Sequence, residues 1–300
     1  MGILEGKVAI VTGAGRGIGR GHALLLAEHG ARVVVNDVGS AMEGGGRDAA
    51  PAHAVVDEIT VAGGEAVANG DDVATFDGAR ALVGQALDEW GRLDVLVNNA
   101  GVICDAMSFK MDEATFDSVI NVHLKGHFAT CRFAAEHWRN RSKAGDDVSG
   151  RIINTVSESG LHGQPGQLNY SAAKGGILSL TLVLARELRK YGVTANCIAP
   201  RAKTRMTSTM ALGAEYMTGP EWDPENIAPM VVFLASDAAA DVSGQVFVVF
   251  GPNVYLMEGW TMVSELHGES DRFTPEELIA RKDELFAGRR SKVPHMGFGK

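Results

Sequence analysis

Tyr170 and Lys174 stand four positions apart in the segment Tyr170-Ser171-Ala172-Ala173-Lys174. On a helix both side chains would leave one face. A phenol with an ordinary pKa of about 10 is a poor base at neutral pH. An ammonium one turn away stabilises the phenolate and brings the tyrosine into working range as a general acid or base. Ser157 follows the β-branched run Arg151–Val156, so its hydroxyl sits at a strand end, where it can hold a substrate oxygen while a proton moves. Tyrosine and lysine at this spacing are common on solvated helix faces. The pair gains meaning from its place downstream of a second constellation.

That constellation is Thr12-Gly13-Ala14-Gly15-Arg16-Gly17-Ile18-Gly19, directly after the run Lys7–Thr12 (KVAIVT) and directly before helical spacing. Gly13, Gly17 and Gly19, with Arg16 and Ile18 between them, form a loop whose backbone can turn tightly and approach a pyrophosphate. The following helix N-terminus offers free N–H groups and a positive dipole end. A glycine-rich turn alone would be weak; a strand before and a helix after make it a dinucleotide cradle. Asp37 closes the next run, Ala31–Asn36. A carboxylate there accepts hydrogen bonds from both adenosine ribose hydroxyls and repels a 2′-phosphate, which selects NAD over NADP. Arg16 argues more weakly for NADP. With NAD bound, the two constellations make a hydride-transfer site in which a positive nicotinamide ring helps Lys174 to acidify Tyr170.

The elements that must position these residues alternate. Apolar runs at Lys7–Thr12, Ala31–Asn36, Ala66–Asn69, Leu93–Asn98, Arg151–Val156, Val193–Ile198 and Gln245–Phe250 read as buried strands. Amphipathic stretches at Gly17–His29, Asp48–Ala62, Asp77–Trp90, Glu113–Asn140, Asn169–Lys190 and Pro224–Ser236 read as helices, the fourth of them as one long helix. The pattern is that of an α/β fold: a doubly wound Rossmann-type parallel sheet with helices on both faces. Residues 1–250 make one dinucleotide-binding and catalytic domain. Residues 251–300 are a C-terminal extension packed on the domain or on a neighbouring subunit, with a helical segment near Pro275–Phe286 capped by Thr274 and Glu277. Gly39–Arg47 is a glycine-rich insertion, and Arg141–Ser149 a charged turn.

Taken together, TGAGRGIG (Thr12–Gly19), Asp72-Val73, NNAG (Asn98–Gly101), Ser157 and YSAAK (Tyr170–Lys174) resemble the short-chain dehydrogenase/reductase family over roughly residues 5–250. The resemblance implies that Asp72 and Val73 border the adenine, that Asn99, Ala100 and Gly101 line the cofactor, that Pro200 and Thr204 touch it from the loop after the sixth strand, and that Ser157, Tyr170 and Lys174 act as described. Many members are homotetramers built on the two long helices. The family's active-site asparagine falls on His123, and Pro200-Arg201 stands where a Pro-Gly pair is usual. In the family the asparagine position holds a water near the lysine largely through its main chain. These departures, VVVND (Val33–Asp37) and the tail around Trp260 and Phe273-Thr274-Pro275-Glu276 resemble one branch, the (3R)-hydroxyacyl-CoA dehydrogenase unit of the peroxisomal multifunctional β-oxidation enzyme and its bacterial relatives. The resemblance places the chain in lipid metabolism as a unit standing alone, without hydratase or sterol-carrier domain.

The remaining features set limits. A net charge of −9 and a pI near 5.5 remove the global basic footprint of a nucleic-acid binder. Three separated cysteines suggest neither a disulfide framework nor a zinc ribbon, and no apolar run approaches the ~18 residues of a membrane span. A cytoplasmic homo-oligomer without a metal, acting on a small molecule, is expected. His123 and His127 share a helix face but lack a third ligand, so a helix-face or subunit-interface place is expected for both. Asp71-Asp72 reads as a strand-end turn rather than a cation site, Glu158 as solvent-facing, and Gly175-Gly176 as a point of close helix packing. Arg201, Lys203 and Arg205 either meet coenzyme A phosphates or form a solvated loop. The leading function is NAD-dependent oxidation of a 3-hydroxyacyl-CoA with a fatty or steroid chain. A dehydrogenase of free steroid or terpene alcohols is the competing enzyme, and a non-catalytic NAD-binding scaffold the remote alternative.

Overall fold

The run Val8–Thr12 forms strand β1, and all five of its residues are buried because both of its faces are covered. Side chains alternate along it. Ala9 and Val11 pack into one apolar cluster and Val8 and Ile10 into the other. The computed structural model describes residues 2–41, 46–208, 217–268 and 271–288. Part of the glycine-rich insertion and part of the tail lie outside the described residues.

The other strands are β2 (Arg32–Asn36), β3 (Glu65–Asn69), β4 (Val95–Asn98), β5 (Gly150–Thr155), β6 (Val193–Pro200), β7 (Val246–Phe250) and β8 (Asn253–Met257). They form one sheet in the order β3-β2-β1-β4-β5-β6-β7-β8, and β1 to β7 pair in parallel throughout. The order reverses between β1 and β4, the switch point at which doubly wound sheets bind ligands. Helices α1 (Gly17–Glu28) and α2 (Ala50–Val61) cover one face, and α3 (Phe76–Trp90) lies on the other. Thr75 caps α3 by accepting the Gly78 N–H, and Gly91, in the left-handed region, ends it.

The expected long helix over Glu113–Asn140 is interrupted. It is α4 (Glu113–Ile120), then a π turn (Asn121–Lys125), then α5 (Gly126–Lys143). The π turn widens the helix by one residue and turns His123 inward. A short α6 (Glu158–His162) follows Ser157, and α7 (Leu168–Leu188) carries Tyr170 and Lys174. Gly175 and Gly176 do bring α7 close to its neighbours: a Cβ on Gly176 would lie 3.0 Å from Leu124. The short α8 (Arg205–Ser208) and α9 (Ala228–Ala235) complete this part. The chain divides into two compact units at Leu256/Met257. Within the second, Thr274 and Glu277 form the expected capping box, and the helical segment is α10 (Pro275–Ala280) and α11 (Lys282–Phe286). No helix among the described residues is long and apolar enough to cross a membrane.

His22, on the core face of α1, is fully buried and neither ring nitrogen has a partner. Burial pulls it down to about 3. An unpaired buried polar atom costs about 1–3 kcal/mol, so His22→Leu is expected to raise stability at pH 7 by about that much in urea unfolding. The unfolded histidine binds a proton below its ordinary 6.5 while the folded one resists it. Native stability should therefore fall as pH drops from 6.5 towards 3, and the variant should lose less over that window.

Candidate active site

At the C-terminal ends of β1, β4 and β5 the loops enclose a cavity of about 670 Å³. Every residue expected from the sequence to hold a cofactor or to react lies along its wall. The glycine loop forms one end. Gly13 has φ +62°, and a Cβ there would stand 2.8 Å from the Ala100 Cα, so only glycine lets this loop pack directly on the backbone after β4. Thr12 ties this loop to its neighbour: its hydroxyl accepts the N–H groups of Asn99 (2.9 Å) and Ala100 (3.0 Å). The Asn99 amide donates in return to the carbonyls of Thr12 (3.0 Å) and Gly13 (3.1 Å). Free backbone donors at the start of α1, facing a groove kept clear of side chains, fit a dinucleotide pyrophosphate.

Asp37 projects from the end of β2, its two carboxylate oxygens accepting the Gly15 N–H (2.8 Å) and the Gly39 N–H (2.7 Å). Arg16 turns towards Asp48, 4.0 Å away. Asp72 accepts the Ala74 N–H (2.9 Å) and so shapes the turn that exposes Val73 to the cavity. Asp71 is engaged with the Asn69 amide (2.8 Å), within a buried network of Asn36, Asn69 and Gln85, as expected of a strand-end turn. Pro200 and Thr204 close the far side.

The reacting residues meet at the cavity's other end. Ser157 is the N-cap of α6 and accepts the Ser159 N–H (3.2 Å). Asn169 fixes the start of α7 by donating to the carbonyls of Cys104 (2.9 Å) and Thr115 (3.1 Å), while its oxygen accepts the Tyr170 N–H (2.7 Å). Lys174 is 2% exposed, its Nζ donating to the Thr155 carbonyl (2.7 Å) and lying 5.5 Å from the Tyr170 ring centroid. Burial pushes Tyr170 up to about 12; a hydrogen bond with Ser157 works the other way and the Asp105 charge adds to the rise. Burial pulls Lys174 down to about 7. Burial thus opposes ionisation of both groups in the protein alone, and the expected acidification of Tyr170 draws on a bound nicotinamide ring as well as on Lys174.

His123 is buried against this group. Its ring meets that of Tyr170 edge-on at 5.1 Å, and its Nε2 lies 2.7 Å from the Val102 carbonyl. The imidazole also lies over Gly101, where a Cβ would come within 2.4 Å of it. Burial, then the Lys174 charge, hold it well below its ordinary value, so it is neutral at physiological pH. His127 is buried too. Both histidines lie on the inward face of their helices, and a subunit-interface place fails for them because the chain itself buries them.

Glu158 is not solvent-facing as expected. It forms a bidentate ion pair with Arg201, with Nε–Oε2 and Nη2–Oε1 distances of 2.6 Å. Arg201 is thereby held by a carboxylate rather than being part of a purely solvated loop. Lys203 and Arg205 are exposed. Sequence reasoning also missed the supports beneath the site. Asn98 donates to Asn154 (2.9 Å), Asn154 to Thr181 (2.9 Å), and Thr130 to Asn98 (2.7 Å), which joins β4 and β5 to α5 and α7. Gln167 accepts from Ser159 (2.9 Å) and donates to Asp105 (3.1 Å), bridging the two loops beside Tyr170. Polar residues at strand ends and helix starts were the available signal, but their partners lie far away in the chain.

Residues 7–213 match the sequence model of the family described as short chain dehydrogenase. The chain is 46% identical over 295 residues to the hydroxyacyl-CoA dehydrogenase ChsB1 of Mycobacterium tuberculosis, covering 95% of this chain and 90% of that protein. It is 38% identical over 283 residues to the peroxisomal hydratase-dehydrogenase-epimerase of Neurospora crassa, covering 94% of this chain but spanning only 30% of that protein's length. Among solved structures, a short chain dehydrogenase from Mycobacterium avium superposes with a TM-score of 0.87 at 51% identity, over 98% of this chain and 99% of that one.

Proposed function

The chain belongs to the short-chain dehydrogenase family and is an oxidoreductase acting on CH–OH groups; from that premise we propose that it is an NAD-dependent 3-hydroxyacyl-CoA dehydrogenase. The observation that carries the substrate class is the identity of 46%, over nearly the whole of both chains, with a protein named for that activity. The cofactor choice rests on Asp37. Its carboxylate is fixed on the cavity wall by the Gly15 and Gly39 N–H groups, which supports a role on ribose hydroxyls, and Arg16, the residue best suited to a 2′-phosphate, leans towards Asp48.

When bound, the nicotinamide supplies the acceptor or donor of a hydride. The protein supplies the rest. Ser157 and Tyr170 hold the substrate oxygen from two sides, and Tyr170 takes the hydroxyl proton on oxidation or returns it on reduction. Lys174, anchored to the Thr155 carbonyl, stands beside the Tyr170 ring and would hold the cofactor ribose. The glycine loop, Asp72-Val73, Asn99–Gly101, Pro200 and Thr204 orient the cofactor. His123 holds Val102 and the edge of the Tyr170 ring in register. Exposed Phe128 on α5 and Val183 on α7 support a homo-oligomer joined through these helices, and cysteines without a disulfide support a reducing, cytoplasmic setting.

The competing substrate class, a free steroid or terpene alcohol, gains from one observation: Arg201 is taken by Glu158. NADH formation by the purified protein across 3-hydroxyacyl-CoA thioesters, steroid alcohols and simple secondary alcohols separates the two. Turnover confined to free alcohols would overturn the thioester reading. For the cofactor, Asp37→Ser is expected to move the NAD-to-NADP preference towards NADP by about 10- to 100-fold in kcat/KM, since the like-charge repulsion is lost. A wild type that used both cofactors equally would contradict the role given to Asp37.

A further inference from the structure

Glu158 and Arg201 are 43 positions apart in sequence, yet they form the most enclosed carboxylate–guanidinium pair near the reacting group. Their side chains are only 17% and 18% exposed. Each end of the pair is anchored. Glu158 opens α6, immediately after Ser157, the N-cap of that helix. Arg201 continues the sheet: its N–H donates to the Val249 carbonyl (2.9 Å), just beyond Pro200 on the cavity wall. The guanidinium carbon lies 6.0 Å from the Phe250 ring and 5.9 Å from the Tyr255 ring, so aromatic faces on β7 and β8 hold it in place.

We infer that the Arg201–Glu158 pair is a positioning clamp for Ser157, tying the first turn of α6 to the ends of β6 and β7. The inference rests on the reading that Ser157 holds the substrate oxygen. α6 has only five residues and begins on the serine itself, so it has little length of its own with which to fix the hydroxyl. A bidentate fork fixes direction as well as distance, which a single contact does not. The carboxylate occupies two of the five donors of the guanidinium and offsets its charge, which weakens the attraction of Arg201 for a phosphate. The clamp thus assigns Arg201 to the geometry of the reaction and leaves recognition of a nucleotide tail to other groups.

The test uses the full chain with R201M, R201K, E158Q and the R201M/E158Q double variant, each checked by thermal melting and NAD binding. Rates are read on a 3-hydroxyacyl-CoA and on the matching N-acetylcysteamine thioester, which lacks the nucleotide, or on a secondary alcohol if that is what the wild type oxidises. The clamp predicts a kcat loss of about 10- to 100-fold for R201M, on every substrate alike, because small misplacements of a positioned group are costly. KM and the NAD dissociation constant should stay within about twofold. R201K should retain part of the rate, and the double variant should be no slower than R201M alone. E158Q, which is isosteric, keeps the test open if R201M fails to fold. A rise in KM for the CoA thioester alone, with kcat intact, would make Arg201 a phosphate subsite and overturn the clamp. Unchanged kinetics in all variants would reduce the pair to packing and overturn it equally. Ser157→Ala run in parallel keeps the two readings apart. If that variant keeps full turnover, the role of Ser157 fails; if only the pair variants do, the clamp alone fails.

Discussion

Tyr170→Phe is expected to lower kcat by about a thousandfold or more, with cofactor affinity changed by less than about twofold. Removing a positioned general acid or base typically costs 10²–10⁴-fold. The upper part of that range applies because, among the described residues beside Tyr170, no other group is suited to take over. His123 is neutral and its Nε2 is committed to the Val102 carbonyl. Lys174 is committed to the Thr155 carbonyl. The phenol is pushed up to about 12 by burial, so the protein alone keeps it protonated. It is therefore set as a proton donor for reduction. For oxidation it needs the additional positive charge of a bound nicotinamide ring, and the oxidation rate should rise with pH through the neutral and alkaline range. Phenylalanine keeps the edge-on contact with His123 and the packing of α7, so titration of cofactor binding by fluorescence should look like wild type. A variant that kept more than about a tenth of the turnover would remove Tyr170 from the reaction.

Lys174→Met is expected to act on two quantities in opposite directions. Activity should fall by about 10²–10³-fold, because the amine beside the phenol, which would also hold the cofactor ribose, is lost. Stability should rise. The ammonium has been moved from water into a site 2% exposed, and its pKa drops from 10.5 to about 7. That gap corresponds to about 5 kcal/mol of destabilisation once the unfolded chain is protonated. Methionine leaves the Thr155 carbonyl without its donor, which returns about 1–3 kcal/mol, so a net gain of about 2–4 kcal/mol is expected at pH 7. The sign with pH follows from the lowered folded value. Between pH 7 and 10.5 the unfolded lysine holds a proton that the folded one has released. Wild-type stability should therefore climb as pH rises across that window, and the variant should lack this climb. Urea unfolding at pH 7 and pH 10 measures both effects. A loss of stability in the variant at pH 7 would contradict the account of Lys174 as a strained, functional charge.

The parts that were legible in the sequence share a cause. β1, β2 and β4 to β7 are buried on both faces, so their apolar runs stand out, and the glycine loop and YSAAK segment combine fixed spacing with a fixed place in the strand and helix order. Other parts were hidden for reasons that can be named. The π turn at Asn121–Lys125 carries no glycine or proline to mark it, and the packing of His123 over Gly101 that accompanies it is a tertiary contact. β8 lies at the sheet edge with exposed side chains, so Asn253–Met257 carries no burial pattern. α6 is too short for a helical period. Glu158 looked solvated, and Arg201 a phosphate ligand or a solvated loop residue, because each is a charge next to a loop; only the fold brings them to 2.6 Å. The buried chain of Asn98, Asn154 and Thr181 is likewise a product of neighbouring strands and helices, which local patterning does not record.

The most direct measurement is a crystal structure of the protein with NAD and an oxidisable substrate analogue bound together. The account requires the carbinol oxygen within about 3 Å of both the Tyr170 and Ser157 hydroxyls, with the carbinol carbon facing the nicotinamide and Lys174 on the ribose side. An oxygen bound elsewhere in the cavity, or a tyrosine hydroxyl turned from the nicotinamide, would contradict it.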